Sequence, residues 1–88
     1  MKVYAVIITQ VYEYEDFGVI CEIFENKSDA VTFLKEFVNE EWRKDVEKRG
    51  WDVERDKDTS YSACEEFNWI ANHVEGYVEE KEIKKHSN

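Results

Sequence analysis

The chain has 88 residues and a formal net charge of −9, from 21 Asp and Glu against 12 Lys and Arg. A surface of that sign repels phosphate backbones and anionic membranes, so we expect neither direct nucleic-acid binding nor membrane binding. Hydrophobic residues make up 42% of the sequence, which is enough for a folded core and argues against disorder. The longest apolar run, residues 3–8, is too short to cross a bilayer and resembles no secretory leader, so a cytoplasmic protein is expected.

The first 25 residues predict a β-hairpin. Residues 2–14 are rich in β-branched and aromatic residues on both alternating faces, which indicates a central strand that is covered on both faces, or covered on one face and aromatic on the other. Residues 15–18 supply turn chemistry that ends in a glycine, and residues 19–25 return to an extended pattern. We therefore expect the first two strands to pair.

A long helix follows the hairpin. Ser28 can accept a hydrogen bond from the first free amides, Asp29 complements the positive helix end, and Gly50 is a typical residue just past the other end. Its apolar positions recur at three- and four-residue spacing and are Ala30, Val31, Leu34, Phe37, Val38, Trp42 and Val46. Because the first half carries most of them, we expect the second half to overhang the sheet. Trp42 and Val46 then lie at the rim, where they clamp the sheet edge or contact a partner.

Three more strands complete the prediction. Residues 51–57 alternate strictly, with Trp51, Val53, Arg55 and Lys57 on the side that can face a core. Turns are expected at residues 57–60 and 68–72, strands at 61–67 and 73–83, and a frayed tail at 84–88. In the last strand Val74, Gly76 and Val78 point inward.

The order β-β-α-β-β-β predicts an α+β fold in a single domain of residues 1–83. The helix must bury its apolar stripe against a sheet, since the sequence offers it nothing else. We expect a four- or five-stranded, mainly antiparallel sheet with the one long helix packed on one face.

Metal, cofactor and catalytic motifs are weak. The possible zinc ligands lack the paired spacing of a zinc site and are Cys21, Cys64, His73 and His86. The acidic residues near position 52 begin like a calcium loop, but Lys57 stands where that loop needs glycine and Ala63 where it needs glutamate. His73 is the one candidate base for a cysteine nucleophile, and an ordinary strand histidine is favoured. We expect no cofactor, no metal and no enzymatic activity.

The two cysteines are expected to be reduced thiols in the core. Cys21 and Cys64 lie far apart in the sequence and neither belongs to a C-x-x-C pair. A single disulfide in an exported protein is the alternative.

The most unusual local feature is the acidic row Asp52, Glu54, Asp56 and Asp58. A strand spaces alternate side chains by about 6.7 Å, so such a row resembles a line of phosphates. The last strands can extend this surface with Glu65, Glu66, Glu75, Glu79, Glu80 and Glu82. The alternative is that carboxylates on an edge strand prevent aggregation.

Aromatic residues exceed what the helix-covered face can hold: Tyr12, Tyr14, Tyr61, Phe67, Trp69 and Tyr77. We expect Tyr12, Tyr14 and Tyr77 on an uncovered sheet face beside Glu75 and Glu79. Tyrosine is favoured in binding hot spots, so this face would suit a protein partner with a basic surface. A homodimer through the same face, or cross-strand aromatic pairs without a partner, are the alternatives.

Together these features favour a non-enzymatic protein-binding domain with an acidic, tyrosine-rich sheet surface. Its sharpest form is a phage or mobile-element inhibitor that imitates nucleic acid and occupies a nucleic-acid-handling enzyme. The competing hypothesis is a structural or self-associating cytoplasmic protein whose acidity only keeps it soluble.

Overall fold

The computed structural model describes residues 1–12, 18–67 and 70–83, apart from the side chains of residues 66, 67, 70 and 71. The strands are β1 (Lys2–Val11), β2 (Gly18–Phe24), β3 (Asp52–Lys57), β4 (Ser60–Phe67) and β5 (Ile70–Glu82). One long helix, residues 27–49, lies between β2 and β3, and this confirms the predicted α+β order. Three parts of the prediction lie outside the described residues: residues 15–17 of the turn at 15–18, residues 68–69 of the turn at 68–72, and the tail at 84–88. The rest of the second turn is wrong, because residues 70–72 belong to β5.

The five strands form one antiparallel sheet in the order β2-β1-β5-β4-β3. β1 pairs with β2 as the predicted hairpin, and with β5 on its other side. β5 begins at Ile70, three residues before the predicted start, and is the longest strand. The outer strands are therefore β2 and β3.

The helix covers one face of this sheet. Val6 and Ile8 of β1 belong to the core that the helix covers, and they are paired with Val78 and Gly76 of β5. The even-numbered residues of both strands therefore face the helix. The buried core on this side consists of Val6, Ile8, Ala30, Leu34, Val38, Trp42, Trp51, Tyr61, Ala63 and Val74. Within the described part of the chain no helix lies on the opposite side, which we call the uncovered face.

The long helix is interrupted by a π-helical turn. α1 (Lys27–Phe37) and α2 (Arg43–Arg49) flank the π turn Val38–Trp42. The described part of the chain contains no helix with the length and apolar character needed to span a membrane.

The π turn explains why the predicted overhang of the second half is wrong for Trp42. The core residues Ala30, Leu34, Val38 and Trp42 follow one another at four-residue intervals, and an α-helix turns about 40° too far at each such step. A π turn takes up one extra residue and so reverses about 100° of this drift. Trp42 is fully buried as a result, and its indole Nε1 donates a hydrogen bond to Gln10 Oε1 at 2.8 Å.

The N-terminal end of the helix differs from the prediction, and the C-terminal end confirms it. Asn26 occupies the N-cap position without a side-chain capping bond, so Ser28 lies inside the first turn and does not cap the helix. Gly50 is left-handed, with φ of 68°, as expected of a residue just past the C-terminus. The Trp51 amide then donates to the Val46 carbonyl at 3.1 Å.

Candidate protein-interaction surface

β3 does not alternate strictly, because a β-bulge interrupts it. Val53 is paired with Ala63 and Arg55 with Ser62, so Glu54 is an extra residue on this strand. Paired residues share a face of the sheet, and each bulge residue shifts the side chains that follow it to the other face. The prediction that Arg55 and Lys57 face the core is therefore wrong.

The bulge divides the acidic row in two. Asp52 is paired with Cys64 and faces the uncovered side, whereas Asp56 is paired with the buried Tyr61 and faces the helix. On the helix side Asp56 Oδ1 lies 3.9 Å from Arg43 Nη2, and Asp58 Oδ1 lies 2.9 Å from Lys35 Nζ. The prediction that the four carboxylates share one face is wrong.

Asp56 and Asp58 border a groove between the helix and the β3–β4 turn. The groove has a volume of about 160 Å³, below the roughly 300–1,000 Å³ of drug-sized sites. Tyr61 lines it, and the Tyr61 hydroxyl has no hydrogen-bond partner among the described residues. Burial raises the pKa of this phenol, Arg43 acts against the rise, and Asp56 and Glu47 add to it. The phenol is therefore protonated at neutral pH.

The predicted tyrosines divide between the two sides of the sheet. Tyr12 continues the even-numbered, helix-facing residues of β1, and its ring centroid lies 6.2 Å from that of Trp51. Its placement on the uncovered face is therefore wrong, because the even residues of β1 all turn toward the helix. Tyr77 does lie on the uncovered face, paired with Ile7 on one side and Ser60 on the other. Tyr14 lies outside the described residues.

The carboxylates beside Tyr77 are engaged in exposed ion pairs. Glu75 Oε1 lies 3.0 Å from Arg55 Nη2, and Glu79 Oε1 lies 3.0 Å from Lys81 Nζ. Exposed pairs of this kind contribute only about 0–1 kcal/mol, so they can be exchanged for other partners at little cost.

A second set of polar contacts lies farther along the uncovered face. His73 Nε2 lies 3.8 Å from Glu54 Oε1 and 3.4 Å from Ser62 Oγ. These contacts join β3, β4 and β5, and Cys64 lies directly opposite His73 in the register of β4 and β5.

The charge on the uncovered face is nearly balanced. By strand register and ion pairing the described acids there are Asp52, Glu54, Glu75 and Glu79, and the bases are Arg55, Lys57 and Lys81. Glu65, Glu80 and Glu82 lie on the helix side, paired with Asn72, Tyr4 and Lys2. The carboxylates are thus distributed over both faces, and the side chain of Glu66 lies outside the description.

The other half of the uncovered face is apolar, which the sequence analysis missed. β2 exposes Val19 (56%), Ile23 (57%) and Cys21 on this side, next to Ile7 of β1. A signal was present, since β2 carries apolar residues at both odd and even positions while the helix can cover only one of the two sets. The face therefore combines an apolar β2–β1 half with a charged β5–β4–β3 half.

The cysteines are too far apart to bridge within one chain. Cys21 is exposed on β2, so its predicted core position is wrong, and Cys64 is half-buried on β4. β1 and β5 lie between the two strands, which separates them by about 14 Å, beyond the roughly 7 Å limit of a disulfide. In the described segments, no three His, Cys, Asp or Glu side chains come together as a metal site.

Comparison with protein-family models, with curated proteins and with solved structures finds no match to this chain.

Proposed function

We propose that this chain is a non-enzymatic protein-binding domain that contacts a protein partner with a basic surface through the uncovered face of its sheet. The contact is centred on Tyr77. The observation that carries the proposal is that Tyr77 lies between Glu75 and Glu79 along β5 and beside Ile7 across the strands.

The chemistry of this position supports recognition of a cationic protein. A tyrosine ring contributes apolar contact area at low entropic cost and also accepts a cation over its face. Glu75 and Glu79 are each paired with a single exposed cation, which a partner's arginine can replace. The exposed Val19 and Ile23 supply apolar area on the same face.

The nucleic-acid-mimic form of this hypothesis loses its geometric basis. It required four carboxylates in one row, and the bulge in β3 directs Asp56 and Asp58 to the helix side, where Arg43 and Lys35 partly neutralise them. The net charge of −9 still steers a basic partner toward the molecule as a whole. We therefore retain a basic protein partner and drop the imitation of a phosphate backbone.

The test compares two double variants with the same charge change on opposite sides of the sheet. Immobilised protein captures proteins from a lysate of its native cell at low ionic strength, and each captured protein is purified for affinity measurement. We expect Tyr77→Ala and the pair Glu75→Gln with Glu79→Gln each to weaken binding by about tenfold or more, the loss of a hot-spot contact. The matched pair Asp56→Asn with Asp58→Asn should bind like the wild type.

Salt provides the second readout. Affinity should fall as NaCl rises from about 50 to about 300 mM, because screening weakens attraction between opposite charges. Equal loss of binding in the two double variants would mean that total charge, rather than this face, is recognised. An affinity that does not change with salt would also contradict the proposal.

The competing hypothesis, a structural or self-associating protein, predicts a different result. Such a protein forms its complex from purified chain alone, through the face that carries Tyr77. A tight dimer that buries Tyr77 would occupy the proposed partner surface, and Tyr77→Ala would then dissociate that dimer.

A further inference from the structure

The outer edge of β2 is unprotected among the described residues. β2 (Gly18–Phe24) is bordered by β1 alone in the described sheet, so the backbone groups along its other side have no strand partner there. Its register with β1 is continuous, without a bulge, and Glu22 is its one charged residue. An edge that is regular, exposed and nearly uncharged is a template for the addition of another strand.

The opposite edge of the sheet shows the contrast. Every residue of β3 (Asp52–Lys57) is exposed, five of the six are charged, and a bulge interrupts the strand. Charges and bulges are the devices that prevent strand addition at an edge. Within the described residues, the sheet thus protects one of its two edges and leaves the other open.

We propose that a second copy of this chain pairs with the β2 edge, antiparallel, about a twofold axis at Cys21. The pairing joins two five-stranded sheets into one continuous sheet with both helices on the same side. Complete overlap of the seven residues of β2 places Cys21 at the centre of the strand opposite its own copy. Gly18 then pairs with Phe24 of the second copy, Val19 with Ile23 and Ile20 with Glu22.

This register suits the side chains of β2. Glu22 meets Ile20, so no like charges stand directly opposite each other, whereas an axis at Glu22 itself would bring two carboxylates together. On the uncovered face Val19, Cys21 and Ile23 of both copies form one apolar strip. Registers displaced by one residue are excluded, because they would pair helix-facing with uncovered side chains.

The size of the interface between the two β2 strands and the net charge of the protein determine the strength of the dimer. Seven residues from each copy are fewer than the roughly 20–30 per side of a standard interface, so the dimer is reversible and concentration-dependent. Two copies of net charge −9 repel each other, and salt screens that repulsion. Salt therefore strengthens the dimer, whereas it weakens the basic-partner complex proposed above. The inference does not depend on that complex, and the opposite salt effects separate the failure of one from the failure of the other.

Sedimentation equilibrium of the full chain with reduced thiols tests the proposal. We expect a monomer–dimer equilibrium whose dimer fraction rises with protein concentration and with salt. Cys21→Lys places two like charges opposite each other at the axis and should lower the association constant by at least about tenfold. Because this change makes the net charge less negative, a loss of dimer cannot result from greater overall repulsion.

The matched control is Val53→Lys, which makes the same charge change at an exposed apolar residue of the protected edge. It should dimerise like the wild type. The proposal is overturned if the chain is monomeric at all concentrations in both salt conditions. It is also overturned if Cys21→Lys leaves the dimer intact or if Val53→Lys dissociates it equally.

Thiol cross-linking tests the register itself. Directly opposite Cα atoms of an antiparallel pair lie about 4.5–5.5 Å apart, within the range that a disulfide spans. Diamide takes up the two thiol hydrogens and is reduced to the hydrazine, while the two sulfurs form the S–S bond. We expect a covalent dimer in the wild type and in Cys64→Ser, and none in Cys21→Ser. A cross-link that persists in Cys21→Ser and requires Cys64 contradicts the register.

Discussion

Gly76 is the residue at which the helix approaches the sheet most closely. A Cβ atom at this position would lie 2.6 Å from Leu34 Cδ1, 3.4 Å from Trp42 Cη2 and 3.5 Å from Ile8 Cγ1. Leu34 and Trp42 are themselves buried, so neither can swing away to make room. The absence of a side chain at Gly76 is therefore what allows the helix to pack this closely.

Gly76→Ala should destabilise the protein. Overpacking a buried site costs about 1–3 kcal/mol, which exceeds the roughly 0.4–1 kcal/mol gained from a less flexible unfolded chain. The expected result is a lower urea midpoint with an unchanged denaturant slope. Gly18→Ala is the control, because its Cβ would have Gln10 Nε2 as nearest neighbour at 3.9 Å. Equal midpoints for the two variants would show that the helix can retreat from β5 at no cost.

At the scale of elements, the π turn leads to a prediction about chain length. Deletion of the exposed Glu40 leaves Leu34, Val38 and Trp42 at spacings of four and three, which is the pattern of a regular α-helix. We expect the deletion to convert the π turn to α-helix and keep Trp42 buried, at a cost of no more than about 1 kcal/mol. Thermal unfolding measures the cost in stability, and tryptophan fluorescence reports whether Trp42 stays buried.

Insertion of an alanine after Glu40 is the matched control. It turns Trp42 by about a further 100° and removes a large aromatic side chain from the core, a loss of about 3–5 kcal/mol. A deletion that destabilises as much as the insertion would mean that the π turn itself, rather than the placement of Trp42, stabilises this region.

The elements could be predicted from the sequence, but two changes of register within them could not. The period of two identified the strands and the spacing of Ala30, Leu34 and Val38 identified the helix, since both patterns are local. The bulge at Glu54 and the π turn before Trp42 each insert one residue, and each is stabilised by contacts with distant elements. Each therefore changed the predicted surroundings of a residue, Asp56 or Trp42, without changing the predicted element.

At the scale of the whole molecule, the same register changes decide how the surface is arranged. Sequence alone could identify the acidic residues and the surplus of aromatic rings. The face of the sheet on which each of them lies depended on the register of β3, and on whether the odd- or the even-numbered residues of β1 meet the helix. Tyr77 and Glu75 were placed correctly because β5 is regular over its pairing with β1. Asp56 was placed wrongly because it follows a bulge. Tyr12 was placed wrongly because it continues the even-numbered residues of β1, which face the helix.

Stability at alkaline pH is a property of the whole molecule that one buried phenol influences. Because burial raises the pKa of Tyr61 in the folded state, the unfolded chain loses this proton first, near its ordinary pKa of about 10. The contribution of the neutral phenol to stability is complete below that pH. It declines as pH rises through the folded-state pKa, by up to about 1.4 kcal/mol per pH unit.

Tyr61→Phe should therefore be at least as stable as the wild type at neutral pH, and its advantage in stability should be larger at alkaline pH. Phenylalanine fills the same space without a buried hydroxyl that lacks a partner among the described residues, so the change at pH 7 is expected to be neutral or stabilising. Guanidinium unfolding at about pH 7 and about pH 11 measures the difference in midpoint between the two proteins, which should widen with pH. Tyr77→Phe, which keeps Tyr61, should retain the full alkaline loss. A constant difference between Tyr61→Phe and the wild type at both pH values would show that Tyr61 opens to solvent before the protein unfolds.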